Sequence, residues 1–208
     1  MFPFEQVIWV AVGFMSGALP FSLWVGALWL RRDIRQVGDA NPGATNVWRA
    51  GGRYAAAVAF LLDVLKGAIP VGVAYLQVGI TGAWLIAIAL APVLGHAFSP
   101  ILGGRGGKAV AVSMGIWAGL TAWEGPTVGG VTLLLASRLV GANGWAVLLA
   151  CLAIFAYVTL APAAWNGLML RPDPATLGSV ALGNLLIVAW KYRADLATTP
   201  RLFPKARS

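Results

Sequence analysis

Apolar residues in this chain come in long runs closed by short clusters of charge, glycine and proline. Seven of these runs approach the length a membrane-crossing helix needs, about 20 residues. They cover Val7–Leu30, Tyr54–Val78, Ile80–Ser99, Ala109–Trp123, Thr127–Val140, Trp145–Ala164 and Thr176–Trp190. The fourth and fifth are short and lean on their flanks, so five or six spans stay open as alternatives. The first has no basic segment before it and is too long for a signal-peptide core, which makes it a span of the mature chain. The expected fold is therefore an all-α integral membrane protein with about seven transmembrane helices. No internal repeat or long linker divides it, so residues 1–208 are expected to form a single membrane-embedded domain.

Charge sets the orientation. Lys and Arg collect in cytoplasmic loops near span ends. Alternation from an outside N-terminus places Arg31, Arg32, Arg35, Arg49, Arg53, Arg105, Lys108, Arg138, Lys191, Arg193, Arg201, Lys205 and Arg207 inside. Arg171 falls outside with Glu5, Glu124 and Asp173, and Lys66 lies within a span. The expected arrangement has the N-terminus outside and the C-terminus cytoplasmic. Composition agrees: 59% of the residues are hydrophobic and 11% charged, against about a quarter charged in soluble domains. A net charge of +8 in a soluble protein would suggest nucleic acid, but here it reports topology. The single cysteine, Cys151, has no partner in the chain for a disulfide or metal site. Most of the ten tryptophans, Trp165 among them, sit toward span ends and suit an interfacial belt, whereas Trp48 lies in a polar loop.

Transporters, channels and enzymes share this hydrophobic character, so the polar segments must decide the function. The first runs from Gly38 through Asp39, Asn41, Pro42, Gly43, Thr45, Asn46 and Arg49 to Arg53. It combines turn-forming residues that let backbone amides approach a ligand with amide, hydroxyl and guanidinium donors, a composition suited to an anion. The second contains His96, then Gly103, Gly104, Arg105, Gly106, Gly107 and Lys108 ahead of a helix-compatible run. Glycines and two cations at a helix mouth suit a phosphate. A flexible hinge is the competing reading. The nucleotide P-loop pattern fails, because Leu102 and Ala109 stand where it needs Gly and Ser or Thr. Asp63 and Lys66 lie three residues apart within a span and can pair on one helix face, either as a structural bridge or beneath a polar site. His96, the one histidine, is a candidate general base or a hydrogen-bonded structural residue.

At these residues the chain resembles the bacterial acyl-phosphate:glycerol-3-phosphate acyltransferase family, the PlsY type. The resemblance runs through Gly17-Ala18-Leu19-Pro20-Phe21, Asp33-Ile34-Arg35, Asn41 to Val47 with Arg49, Asp63 to Gly67, Gly95 to Phe98 and Gly103 to Lys108. It implies seven helices with a cytoplasmic site in the bacterial inner membrane, and transfer of a fatty acyl group from acyl-phosphate to glycerol-3-phosphate to form lysophosphatidic acid for phospholipid synthesis. It implies no metal, nucleotide or coenzyme A. Arg49, Lys108, His96 and Asn46 are then the catalytic candidates. Asp39, Asn41, Gly43, Thr45, the Gly103–Gly107 loop with Arg105, and the Asp63–Lys66 pair are the substrate-binding candidates.

The chain also departs from the family. Asp39 replaces a serine, Ala109 and Val112 replace a Gly and a Thr after the lysine, and Gly141 and Asn143 replace two serines. Tyr192 and Asp195 stand near the family's His and Asn, and Thr198, Thr199, Pro200 and Pro204 fill a tail that lacks its glutamate. A divergent relative with another acyl acceptor, or a non-catalytic anion-transporting or lipid-binding membrane protein, is the alternative.

Overall fold

The computed structural model describes residues 3–140, 144–161, 171–200 and 202. Gly141, Asn143, Trp165, Arg201, Pro204, Lys205, Arg207 and residues 162–164 of the sixth predicted span lie outside the described residues. Every regular element among those described is helical. The first apolar run is two helices, α1 (Pro3–Ala18) and α2 (Phe21–Leu30), because Pro20 has no N–H to continue the ladder. A short α3 (Ala44–Arg49) precedes α4 (Arg53–Gly72), which ends in a π-helical turn, Val73–Gln77. After α5 (Gly82–Ala97) come α6 (Val110–Thr121) and α7 (Glu124–Leu139). Then follow α8 (Gly144–Leu160), α9 (Pro174–Lys191) and the single turn α10 (Arg193–Leu196).

Among the described residues, three stretches are long and apolar enough to cross a membrane: Phe4–Leu30, Arg53–Gln77 and Gly82–Leu102. Helices α6 and α8 are apolar but shorter. At about 1.5 Å per residue the 12-residue α6 rises only about 18 Å, short of bilayer thickness.

Helix pairs α1–α5, α4–α6 and α7–α8 form the main packing contacts. The first two depend on close backbone approach. A Cβ on Gly17 would collide with the Pro92 carbonyl, and one on Gly115 with that of Val64. In lipid, where tail and side chain are equally apolar, such small residues gain association energy by letting backbones touch. The main core gathers Leu85, Ile88, Val93, Val112, Ile116 and Trp117, all buried.

The break at Leu19-Pro20 frees carbonyls that the chain then recaptures. Lys66 Nζ donates to Leu19 O at 2.9 Å, and Ser99 Oγ to Ala18 O at 2.7 Å. Lys66 also pairs with Asp63 at 2.7 Å, and Asp63 Oδ2 accepts Ser22 Oγ at 2.6 Å. The α1–α2 break is thus tied to α4 through Lys66 and to Ser99, two residues beyond α5.

At the start of α7, buried Glu124 pairs with Arg171, accepting its Nε–H at 2.6 Å, while Arg171 Nη2, also against Glu124, donates to Tyr157 Oη at 2.6 Å. Both charges were expected on the outer side, and the fold brings them together across 47 residues.

Candidate functional site

A second, smaller core holds the first polar loop in place. Ile34 and Val47, both fully buried, pack with Ala55, Ala56 and Ala59 at the start of α4. Gly26 on α2 leaves room for the Ile34 side chain, which a Cβ there would strike. Asp33 caps the turn at Ile34–Gln36, accepting Arg35 N at 2.9 Å and the Arg35 guanidinium at 2.7 Å. Those bonds, side chain first, hold the Asp33 carboxyl below its usual range. On this anchored base Gly38 adopts φ +64, and a Cβ there would meet Arg49 Nη1 and Asn46 Oδ1. Only glycine satisfies both the left-handed backbone and the close approach.

Buried Asn46 organises what lies above it. Its Nδ2 donates to Asp39 Oδ1 at 3.0 Å and to Asn41 O at 2.9 Å, and its Oδ1 accepts Arg49 Nη1 at 3.1 Å. Asp39 also lies 3.1 Å from Lys108 Nζ and 3.7 Å from Arg49 Nη1. Lys108 reaches Asp195 at 3.4 Å and sits over the Tyr192 ring, 4.5 Å from its centroid. Partial burial pushes the Asp39 carboxyl up, but Lys108, the Asn41 N–H and Asn46 together outweigh it and leave the group below its ordinary range. The Tyr192 phenol moves the other way, raised by burial and then by Asp195 and Asp39.

Two cavities meet at this cluster. The first, a crevice of about 500 Å³, has a polar end formed by Asp39, Asn41, Thr45, Arg49, Lys108 and Asp195. Its walls are apolar and come from α4, α6, α7 and α8, with Phe60, Met114, Leu133, Leu134 and Val147. A small apolar void of about 30 Å³ reaching to Trp117 and Ile154 shares Met114, Leu133 and Val147 with it. The second, a cleft of about 420 Å³, is polar and carries Arg105, Lys108, Lys191 and Arg193 against one carboxylate, Asp39. Asp39, Asn41 and Lys108 line both.

Of the residues expected at a site, Thr45 and Arg49 line the crevice, and Gly104, Arg105 and Gly106 line the cleft. Asn46, Gly43, Gly103, Gly107, His96, Asp63 and Lys66 line neither. Gly43 precedes α3, and Asn46 acts from below. His96 is buried against Gly107, where a Cβ would strike its Nε2. The glycine loop differs from the expected open phosphate cradle. The N–H groups of Gly103, Gly104, Arg105 and Gly107 donate to Pro100, Ser99, Leu102 and His96 carbonyls. Gly106 and Gly107 serve close packing on His96 at the end of α5, and Gly103 and Gly104 supply left-handed turns with φ of +60 and +78, so the loop's charge comes from side chains. Ala109, at the family's glycine position, keeps a left-handed φ of 63.

Sequence reasoning read Lys191 and Arg193 as topology signals and missed them as cleft residues. Lys191 Nζ donates to Ala97 O at 2.8 Å and Gly106 O at 3.0 Å, tying the end of α9 to the glycine loop. The available signal was two cations within three residues of the last apolar run.

A protein of Thermotoga maritima described as glycerol-3-phosphate acyltransferase 1 is 35% identical over 199 residues, covering 90% of this chain and 94% of that one. A glycerol-3-phosphate acyltransferase of Desulfovibrio desulfuricans is 33% identical over 197 residues, 92% of this chain and 80% of that one. The fold superposes with a TM-score of 0.79 on a crystal structure of PlsY (YgiH), an integral membrane glycerol 3-phosphate acyltransferase, in its glycerol 3-phosphate form. Identity there is 26%, and the match covers 93% of this chain and 90% of that chain. The family model described as glycerol-3-phosphate acyltransferase matches residues 7–200, and with it the chain belongs to that family.

Proposed function

We propose that this protein transfers a fatty acyl group from acyl-phosphate to the 1-hydroxyl of glycerol-3-phosphate, releasing phosphate and lysophosphatidic acid into the membrane. The observation that carries this reading is the junction of the two cavities. A crevice with an apolar body and a cationic mouth suits an acyl chain bearing a phosphate, and a polar cleft rich in Lys and Arg suits a small phosphorylated alcohol. Acyl-phosphate is a mixed anhydride with a good leaving group, so the protein's task is to position two anions and stabilise developing charge. Arg49 and Thr45 hold the donor phosphate. Arg105, with Lys191 and Arg193, attracts the acceptor phosphate. Lys108, shared by both cavities, stabilises charge at the reacting carbonyl and on the departing phosphate.

The chain sits in the bacterial inner membrane as one domain of seven spans, with α1 and α2 counted together. Support comes from which helix ends meet at the site: the start of α4, the start of α6, the later half of α7, the start of α8 and the end of α9. That alternation is what successive crossings produce. With the positive loops at the same end, the site faces the cytoplasm and the N-terminus lies outside.

The test is phosphate release from palmitoyl-phosphate and glycerol-3-phosphate by the purified protein in detergent, with lysophosphatidic acid identified by mass spectrometry. Turnover well above that of a Lys108→Ala control is expected. No difference from that control would sink the reading.

A further inference from the structure

The two cavities differ in charge. The cleft carries Arg105, Lys108, Lys191 and Arg193 against one carboxylate, Asp39, whereas the crevice sets Arg49 and Lys108 against two, Asp39 and Asp195. Asp195 lines the crevice but not the cleft, and its Oδ2 lies 3.4 Å from Lys108 Nζ. We propose that Asp195 is a built-in competitor for the donor phosphate. Its carboxylate holds Lys108 in the empty crevice, yields it when acyl-phosphate enters and takes it back as inorganic phosphate leaves. The inference rests on the acyl-transfer reading above and adds the residue that sets how tightly the crevice grips phosphate.

The two carboxylates on Lys108 are held differently. Asp39 is braced at both oxygens: Oδ1 accepts Asn46 Nδ2 at 3.0 Å and the Asn41 N–H at 3.3 Å, and Oδ2 faces Lys108 at 3.1 Å. The Asp195 carboxylate has Lys108 as its partner among the described residues, at the longer distance of 3.4 Å. A long, singly held and partly exposed contact gives way first. The backbone beneath it is fixed. Gly144, at the start of α8, has no side chain to displace Asp195, whose Cβ would lie 2.9 Å from a Cβ there. Trp145 Nε1 donates to Thr198 O at 2.8 Å and ties the chain after α10 to the same helix. The carboxylate can therefore turn away and return to one place, while the Tyr192 ring, 4.5 Å from Lys108 Nζ, stays under the ammonium.

Such a competitor separates the donor from its own leaving group. Acyl-phosphate brings a chain to the apolar walls of the crevice, Phe60, Met114, Leu133, Leu134 and Val147, and that contact adds to its phosphate grip. Inorganic phosphate has no chain and depends on the cations alone. An ionised carboxylate has no hydrogen to donate to a phosphate oxygen, and its charge repels the anion. Asp195 thus weakens both ligands at the headgroup, but only the donor keeps a second hold, so the spent phosphate departs and the next donor can enter.

The experiment titrates inorganic phosphate calorimetrically into the purified protein in detergent at low salt. Glycerol-3-phosphate is present at saturation, so that added phosphate reports on the crevice. Inhibition of palmitoyl-phosphate turnover by inorganic phosphate gives Ki for the same proteins. In Asp195→Asn both Kd and Ki for phosphate are expected to fall about tenfold, because a repelling charge and a rival for Lys108 have gone. Asp195→Glu keeps the charge and should stay within about threefold of native. A merely structural defect would loosen phosphate binding, so tightening is the signature of a competitor. Asp195→Ser should tighten as Asn does, which covers failure of the first variant to fold. Phosphate affinity unchanged or weakened in Asp195→Asn and Asp195→Ser, or raised as much in Asp195→Glu, overturns the role of Asp195 while native turnover keeps the acyl-transfer reading. Absence of native turnover overturns that reading and this inference with it, a failure the titration distinguishes because it needs no turnover.

Discussion

Asp63–Lys66 in the middle of α4 and Asp39–Lys108 at the junction of the cavities pair the same residue types in opposite chemical situations. Asp63 and Lys66 lie 2.7 Å apart with side chains 3% and 2% exposed, and each has one further partner inside the protein, Ser22 for Asp63 and Leu19 O for Lys66. Asp39 and Lys108 lie 3.1 Å apart with 43% and 25% exposure, and Lys108 divides its charge between two aspartates and an aromatic face. A saturated ion pair in a low-dielectric interior is a fastener, because separating it costs far more than binding a ligand can return. A half-open pair with competing partners can exchange one of them for substrate at small cost. Burial and the number of satisfied bonds therefore separate scaffold from site, although the residue types are the same.

The largest effect should come from breaking the closed pair. Asp63→Asn keeps the shape but leaves the Lys66 ammonium uncompensated, and the expected loss is about 3–5 kcal/mol of stability. Thermal unfolding in detergent measures it. The double replacement Asp63→Leu with Lys66→Met removes both charges and should lose clearly less. An unchanged unfolding midpoint in Asp63→Asn would show that this network does not hold the α1–α2 break.

The open pair should respond in the other currency. Lys108→Ala gives up partly exposed ion pairs worth about 0–1 kcal/mol, so its unfolding curve should stay close to native. Its kcat should drop about 10²- to 10³-fold, the usual loss when a donor aimed at developing charge is removed. A variant that loses stability and activity together would place Lys108 with the fasteners instead.

This contrast also marks what the sequence can reveal. The apolar runs and the polar loops are visible because hydrophobic length and turn chemistry are local, although the run Val7–Leu30, expected as one span, breaks at Pro20. Asp39, Asn41, Thr45, Arg49 and Lys108 are recognisable as site candidates because cations beside glycines and amides at span ends have few other uses. Burial is not local. Nothing near His96 shows that Gly107 will cover it, and nothing near Asp63 shows that a proline 43 positions earlier will expose a carbonyl for its partner lysine. The glycine loop looks like an open cradle until the amides of Gly103, Gly104 and Arg105 are found bonded within its own turn and that of Gly107 to the end of α5. Asp195 joins Lys108 across 87 residues and Lys191 ties the loop across 85, separations at which only the assembled bundle decides proximity.

The mildest test within the open region concerns Arg49, which lines the crevice but not the cleft. Its guanidinium gives one hydrogen to Asn46 Oδ1 at 3.1 Å and lies 3.7 Å from Asp39, which leaves further N–H groups for a donor phosphate. A lysine supplies the same charge from a single nitrogen and cannot hold Asn46 while also meeting phosphate oxygens in a fork. Arg49→Lys should therefore lower kcat/KM for palmitoyl-phosphate about tenfold, the equivalent of one charge-assisted hydrogen bond, and leave KM for glycerol-3-phosphate nearly unchanged. Steady-state kinetics with each substrate varied in turn separates the two. A loss confined to glycerol-3-phosphate would exchange the assignments of crevice and cleft, and no loss in either would remove Arg49 from phosphate contact.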